Sequence, residues 1–203
     1  MACGTGTMLE KYAKQRWHVS GFDKSLSMVR AASHRVHRSG FASELWVGDM
    51  RQFSLRSTYS AVLCLYDSIN YCRNIDELVA TLRNVAAVLQ TGGVFLFDVC
   101  TQRNCRLNFI NYQDRDRCGG FSYIRKAHFD RTTGTQENIF LVSHSDWPHH
   151  VIEERHVQKI YSLQTIEKTI RDVTGMEIIG KYDGMTRRRG SERSERVHYL
   201  LRA

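Results

Sequence analysis

Two glycines near the start of the chain, Gly4 and Gly6, stand one residue apart and precede a helical pattern. Glycine accepts positive φ angles and has no Cβ, so a ligand can approach the backbone of such a turn closely. The first N–H groups of the following helix point towards whatever lies over the turn. About 20 residues later, after the strand-like segment Trp17–Phe22, Asp23 offers a carboxylate that suits the two hydroxyls of a ribose. We therefore predict a site for a nucleoside-containing ligand, with an ordinary tight turn as the alternative.

Further polar side chains follow other segments that are typical of buried strands. They are Asp49 with Met50, Tyr66 with Asp67, and Asp98. Ligands of open parallel sheets bind outside the carboxyl ends of the strands. These side chains are thus expected near the glycine turn, although Asp49 and Asp67 could equally cap turns.

Helical and apolar segments alternate over the first half of the chain, which predicts an α/β fold with a doubly wound, mostly parallel sheet. The predicted helices are Thr7–Gln15, one capped by Ser25 and closed by Gly40, and one capped by Asn74 or Asp76 and closed by Gly92-Gly93. The first predicted strand ends at Asp23. The later strands are expected at Glu44–Val47, Tyr59–Leu65 and Val94–Val99.

The pattern changes after Thr101 to longer polar and apolar alternations. We expect an antiparallel three-stranded meander inserted over residues 119–161, on the acceptor side of the site. Its strands are Phe121–Phe129, Thr135–Trp147 and Val151–Tyr161. A helix from Ser162 to Thr174 and a final antiparallel pair, Met176–Tyr182 with Val197–Arg202, complete a single domain over residues 1–203.

Several motifs resemble those of one family. Ala2–Gly6 is similar to motif I of the class I S-adenosylmethionine-dependent methyltransferases, and Gly21–Ala32 looks like their second motif. Asp67–Tyr71, with the letters D-S-I-N-Y, resembles a small-molecule branch that includes glycine/sarcosine and sugar N-methyltransferases. Gly92–Val99 and Glu154–Gln158 fit the same branch. The resemblance implies a Rossmann-like methyltransferase fold with S-adenosylmethionine as cofactor.

The resemblance also implies roles for single residues. Those assigned to the cofactor are Cys3, Gly4, Gly6, Asp23, Asp49, Met50 and Tyr66. Asp23 would take the ribose hydroxyls, Asp49 the adenine amino group, and Met50 would pack on the adenine ring.

The implied reaction is an in-line displacement, in which a lone pair of a small-molecule acceptor attacks the sulfonium methyl group. Alignment alone can supply up to roughly 7–11 kcal/mol of such a barrier. The candidates for orienting or deprotonating the acceptor are Asp67, Tyr71 and His156. Each also has a purely structural interpretation, as a turn cap, a packed ring and a solvent-facing strand residue.

One departure from the family concerns the strand that normally precedes the glycine turn. Met1 stands directly before Ala2, so the strand and its acidic residue are missing from this sequence. We expect an N-terminally truncated domain, or another segment in the gap, because the neighbouring strands would otherwise keep unpaired backbone groups. A catalytically impaired remnant that acts as a binding module is therefore one alternative function.

The chain has a formal net charge of +8 and a pI of about 9.3, which favours an anionic partner. Much of the excess lies in Arg187–Arg196, which we interpret as a solvated loop. A nucleic-acid methyltransferase that uses this loop is the second alternative.

Other classes find little support in the sequence. The six cysteines include no C-x-x-C pair, and the histidines His144, His149, His150 and His156 follow no ligand spacing, so we expect no metal. The sequence has no apolar run of membrane-spanning length and no signal peptide, which predicts a cytoplasmic protein without a membrane partner. The oligomeric state is left open.

Overall fold

Helices and strands alternate in the first half of the molecule and strands dominate the second. The structure, a computed structural model, describes residues 1–147 and 149–203. The helices are α1 (Thr7–Lys14), α2 (Leu26–Arg38), α3 (Ile75–Val88), α4 (Gln102–Asn108) and α5 (Leu163–Val173), with a 3₁₀ helix at Ser68–Tyr71. None of the described helices combines the length and apolar character needed to cross a membrane.

Ten strands form three sheets in the part of the chain that the structure describes. They are β1 (Ser20–Asp23), β2 (Glu44–Val47), β3 (Tyr59–Cys64), β4 (Leu89–Cys100), β5 (Tyr112–Cys118), β6 (Phe121–Asp130), β7 (Thr135–His144), β8 (Val151–Lys159), β9 (Glu177–Asp183) and β10 (Arg196–Arg202). β1 pairs with β2 in parallel, β3, β4, β10 and β9 form a mixed sheet in that order, and β5 to β8 form an antiparallel sheet. The predicted fold class is confirmed.

The main core lies between the mixed sheet and the helices α3 and α5. Phe95 and Phe97 of β4 are fully buried, and the ring of Phe97 stacks on Tyr199 of β10 with centroids 5.1 Å apart. Such aromatic pairs stabilise a core beyond their buried area. The core thereby fixes the carboxyl ends of β3 and β4, where the candidate site lies.

The first residues of the chain lie between β1 and β3. The Met1 ammonium donates to the carbonyl of Leu63 over 2.9 Å, and the Cys3 amide donates to the carbonyl of Phe22 over 2.9 Å. The apolar run Tyr59–Leu65 was expected to be covered on both faces, yet Ser60 and Ala61 are exposed. Residues 1–3 lie beside β3 only at its carboxyl end, where Met1 contacts Leu63. Ser60 and Ala61, nearer the start of β3, are therefore left uncovered by these residues.

The antiparallel insertion has four strands, so the prediction of three was short by one. The missed strand is β5, which pairs with β6 around Gly119 and Gly120, both at positive φ. β5 carries five charged or polar residues in seven, and this masked the alternation expected of a strand. The short helix α4 was also missed, although Thr101 caps it by accepting a hydrogen bond from the Asn104 amide.

Another boundary was predicted wrongly at the end of α3. The helix ends at Val88, and the residues expected to stop it, Gly92 and Gly93, belong to β4. A Cβ on Gly93 would lie 2.8 Å from the carbonyl oxygen of Gln90 and 3.1 Å from that of Tyr59. The glycine therefore permits a close backbone approach within the sheet rather than a helix end.

The antiparallel sheet is held against the mixed sheet by Asn70. Its side chain donates to the carbonyl of Lys159 over 2.8 Å and accepts from the amide of Cys100 over 3.0 Å. Asn70 is completely buried, and the Tyr161 hydroxyl adds a bond of 2.7 Å to the carbonyl of Cys72. These bonds join β8, β4 and the 3₁₀ helix, so that the two sheets share one cleft.

Candidate functional site

The glycine turn and Asp23 lie together, as the sequence predicts. The Gly4 amide donates to Asp23 Oδ2 and the Ser25 amide donates to Asp23 Oδ1, both over 2.9 Å. Gly4 has a φ of +53°, and a Cβ placed on it would meet nothing within 4 Å. The bare backbone of Gly4 therefore faces open space next to an oriented carboxylate.

Gly6 has a different environment from Gly4. Its φ is +79°, and a Cβ there would lie 2.9 Å from both Cα and Cβ of Ala32. Gly6 is the N-cap of α1 and allows α1 to pack closely on α2. Cys3, which precedes the turn, is half-buried, and its amide donates a hydrogen bond to the carbonyl of Phe22. Gly6 thus has a packing role that the motif alone did not indicate.

Asp49 is engaged by neighbouring cations. Arg51 donates from Nε over 2.8 Å and from a terminal nitrogen over 2.5 Å, and Lys24 Nζ lies 3.5 Å away. Hydrogen bonds from Arg51 hold the pKa of Asp49 well below its usual range. The Arg51 amide also donates to Oδ1 over 3.0 Å. An ionised carboxylate has about four acceptor positions, so these three hydrogen bonds leave about one, on Oδ2, for a further donor. Met50 is half-buried and packs on the main core.

Tyr66 and Asp67 follow β3 in a strained turn. Their φ angles are +59° and +49°, values that residues other than glycine rarely adopt. The Asp67 amide donates to Asp98 Oδ2 over 2.9 Å, which fixes the turn, while the Tyr66 side chain is 73% exposed. Strain of this kind is concentrated at functional sites. The turn directs Asp67 towards the cleft.

Arg196 joins two carboxylates at the carboxyl ends of β3 and β4. One terminal nitrogen of Arg196 donates to Oδ2 of Asp98, a residue that is only 1% exposed. The other terminal nitrogen lies 3.5 Å from Oδ2 of Asp67. Burial raises the pKa of Asp67, and the charge of Arg196 opposes that shift. The interpretation of Arg187–Arg196 as solvated surface is therefore wrong for Arg196, which is half-buried at the start of β10. The sequence offered no signal for this ion pair.

Tyr71 and His156 are in direct contact. Tyr71 Oη lies 2.8 Å from His156 Nδ1, and Glu154 is 3.6 Å from the other ring nitrogen. Burial, together with the charges of Asp67 and Asp23, raises the pKa of Tyr71 to about 12. Tyr71 is therefore a protonated hydrogen-bond partner at neutral pH. The fold thus brings His156 to Asp67 and Tyr71, which lie about 85 positions earlier in the sequence, so that the three candidate catalytic residues line one cavity.

A cavity of about 420 Å³ lies beside these residues, between the two sheets. Its lining is Asp67, Tyr71, Asn104, Phe109, Arg125, Gln136, Asn138, Phe140, His156, Gln158 and Arg196. The buried amides Gln136 and Asn138 were not singled out from the sequence, and Gln158 was noted only as the end of the motif Glu154–Gln158. The sequence did contain a signal for Arg125, another residue of the lining. Arg125 alternates with Ala127 and Phe129 along β6, so it shares the face of the strand that these two residues bury.

A second, mainly apolar cavity of about 350 Å³ adjoins the first and shares Phe140 and His156 with it. Its lining includes Met28 of α2, the helix that follows Asp23, together with Phe121 and Tyr123 of β6. The cleft therefore runs from the helix beside the glycine turn to the antiparallel sheet.

Comparison with known proteins agrees with this arrangement. Residues 1–93 match a family model described as "Methyltransferase domain". The chain is 35% identical over 98 residues to dTDP-3-amino-3,4,6-trideoxy-alpha-D-glucopyranose N,N-dimethyltransferase of Streptomyces venezuelae. That match covers 48% of the chain and 40% of the relative, so the chain matches well under half of the relative's length.

Solved structures match over nearly the whole chain. An S-adenosylmethionine-dependent methyltransferase from Clostridium acetobutylicum has a TM-score of 0.88 at 22% identity, covering 99% of this chain and 81% of that one. The CcbJ methyltransferase from Streptomyces caelestis has a TM-score of 0.83 at 18% identity, covering 100% and 81%. The resemblance to the class I S-adenosylmethionine-dependent methyltransferases is confirmed, by sequence over residues 1–93 and by fold over almost the whole chain.

Proposed function

We propose that the protein transfers a methyl group from S-adenosylmethionine to a small-molecule acceptor. The observation that carries the proposal is the bond between the Gly4 amide and Asp23, with open space over Gly4. This arrangement fits a nucleoside ligand, because the bare backbone admits close contact and the Asp23 carboxylate can accept from ribose hydroxyls. Cys3, Gly6, Asp49, Met50 and Tyr66 complete the cofactor residues of the proposal.

The acceptor would occupy the cavity beside Asp67. When bound, S-adenosylmethionine supplies a methyl group on a positively charged sulfur, which a lone pair of the acceptor displaces in line. The half-buried Asp67 can accept a hydrogen bond from an N–H or O–H of the acceptor and so orient its lone pair. Tyr71 donates to His156 or, in the other tautomer, accepts from it, and His156 can take up the proton that the acceptor loses. Most of the acceleration would come from alignment.

A small acceptor is supported by the size of the cavity and by the relatives. About 420 Å³ is within the usual range for sites that bind small molecules. Three relatives are named as N,N-dimethyltransferases of dTDP-linked amino sugars. An amine on a small polar acceptor is therefore the class of substrate that we would test first.

The experiment has two parts. Calorimetry measures binding of S-adenosylhomocysteine, and mass spectrometry measures whether amino sugars and their nucleotides gain a methyl group. Asp67→Asn and Tyr71→Phe should reduce methyl transfer by about tenfold or more, since a general acid–base or orienting group contributes factors of this size or greater. Asp172→Asn, on the exposed face of α5, is the matched control.

Two outcomes would favour the alternative functions. Absence of cofactor binding, with a stable fold, would favour a binding module without catalysis. Tight RNA or DNA binding that weakens steeply with salt would favour a nucleic-acid acceptor held by the exposed residues Arg187, Arg188 and Arg189.

A further inference from the structure

Arg125 lies in a box of aromatic rings at the wall of the acceptor cavity. Its guanidinium carbon is 5.0 Å from the centroid of Phe109 and 5.6 Å from the centroids of Tyr112 and Phe140. These rings attract the planar cation and hold it in place. They also make its surroundings less polar than water, so that its charge acts more strongly on a ligand.

Arg125 is oriented by an amide rather than by a carboxylate. Nε and one terminal nitrogen donate to Oδ1 of Asn138, over 3.0 and 2.8 Å, and Asn138 is only 5% exposed. An arginine carries five N–H donors, so this bidentate contact leaves three for a ligand. Because the partner is neutral, the positive charge of Arg125 is not cancelled.

The other charges of the cavity are paired differently. Arg196 is shared between Asp67 and Asp98, which leaves that part of the lining with an excess of negative charge. Asp114 is the cross-strand neighbour of Arg125, and its Oδ2 accepts from Tyr112 over 3.2 Å. In residues 1–147 and 149–203, Arg125 has no carboxylate oxygen within 4.0 Å. Among the described residues, Arg125 is thus a lining cation without a carboxylate in direct contact, and the pair of Asp67 and Asp98 around Arg196 is a separate acidic group.

We propose that Arg125 recognises an anionic group of the methyl acceptor, a phosphate or a carboxylate, while the acceptor's nucleophile lies at Asp67. This inference rests on the proposed function and assigns a substrate class to it, an amine or alcohol that carries a negative charge. A guanidinium held by one edge presents its remaining N–H groups as a planar fork, and this matches two oxygens of either anion. Arg125 is accordingly a specificity residue that does not contact the reacting atoms.

The test uses matched pairs of probes with and without the anion. The pairs are glucosamine 1-phosphate with glucosamine, and glycine with glycinamide. Calorimetry on the full chain measures each dissociation constant with and without saturating S-adenosylhomocysteine. The wild-type protein should bind the anionic member of at least one pair about tenfold more tightly or better, because charged hydrogen bonds contribute on this scale. The pair that shows the preference identifies phosphate or carboxylate as the anion.

The variants separate recognition from folding. Arg125→Gln should abolish the preference while leaving the neutral probes unaffected, and Arg125→Lys should retain part of it. Lys126→Gln changes the net charge equally on the exposed face of β6 and should keep the preference. Circular dichroism and thermal unfolding check that each variant is folded. If Arg125→Gln does not fold, the anion preference of Arg125→Lys is compared with that of the wild-type protein instead.

Either of two results overturns the inference. One is that wild-type protein shows no preference in both pairs, including the case in which no probe binds. The other is that folded Arg125→Gln keeps the preference. Failure of the proposed function is a separate result, since it would appear as a lack of S-adenosylhomocysteine binding while the anion preference is measured without that compound.

Discussion

Gly4 and Asp23 are 19 positions apart, yet the amide of Gly4 donates to Asp23 Oδ2 over 2.9 Å. The same carboxylate accepts a hydrogen bond from the amide of Ser25, which is the residue that caps α2. Asp23 thereby joins the glycine turn to the end of β1. Its free lone pairs lie beside the open space over Gly4, where the proposed cofactor would bind.

Replacing Asp23 by alanine should weaken S-adenosylhomocysteine binding by about 100-fold or more. Each lost charged hydrogen bond to ribose is worth roughly 1.5–3 kcal/mol. The Gly4 and Ser25 amides also lose their acceptor, so the free energy of unfolding should fall by about 1–3 kcal/mol. Calorimetry and urea unfolding measure the two effects. Glu153→Ala, at an exposed position of β8, is the control, and unchanged affinity in Asp23→Ala would refute the assigned role.

The two glycines of the turn should respond differently to alanine. Gly6→Ala places a Cβ 2.9 Å from Ala32 at a positive φ, so strain and overpacking together should cost about 2–5 kcal/mol of stability. Gly4→Ala meets no atom within 4 Å and should cost about 1–2 kcal/mol, from backbone strain alone. Urea unfolding compares the two variants. Equal losses would contradict the distinction between a ligand-facing and a packing glycine.

Arg196 should be essential for stability even though it lies next to an exposed arginine-rich loop. Arg196→Met leaves Asp98 buried with its charge uncompensated, which should cost about 3–5 kcal/mol. Arg193→Met, in the same loop but exposed, should change the free energy of unfolding by less than about 0.5 kcal/mol. Chemical denaturation of both variants tests the difference. Similar values for the two would show that the Asp98 pair contributes little.

The protein should lose stability in alkaline solution because Tyr199 is fully buried. Burial is the main cause that raises its pKa, and the charge of Glu167 adds to it. Above about pH 10 the unfolded chain releases the hydroxyl proton of Tyr199 while the folded protein keeps it. The free energy of unfolding is therefore unaffected by this group below that pH and falls above it. The loss should be about 1.4 kcal/mol per pH unit for each such tyrosine.

Urea unfolding at about pH 9 and pH 11 measures this loss, on either side of the ordinary tyrosine pKa. Tyr199→Phe should make the dependence shallower. Ultraviolet titration should show Tyr71 ionising near its raised pKa of about 12. An identical pH dependence in wild type and Tyr199→Phe would exclude the buried hydroxyl as the cause.

Local patterns predicted most helices and strands of the first half of the fold, although the end of α3 was misplaced. The strand at Glu44–Val47 was predicted with its observed bounds, and the cap Ser25 was correctly placed. Of the two caps considered for α3, the structure has Asn74. These features depend on residues close in sequence, such as a side chain that accepts from an amide three positions later. Periodicity failed for β5, because its charged residues hide the alternation of an edge strand.

The site divides in the same way. The sequence alone determined the glycine turn, its acidic partner and the family they indicate, because those residues lie in one compact βα unit with a regular spacing. Only the tertiary structure decided which residues meet in the cleft. Arg196 reaches Asp98 across 98 positions and Tyr71 reaches His156 across 85. Contacts between distant segments follow from how the two sheets pack, and no local pattern of residue types encodes that packing.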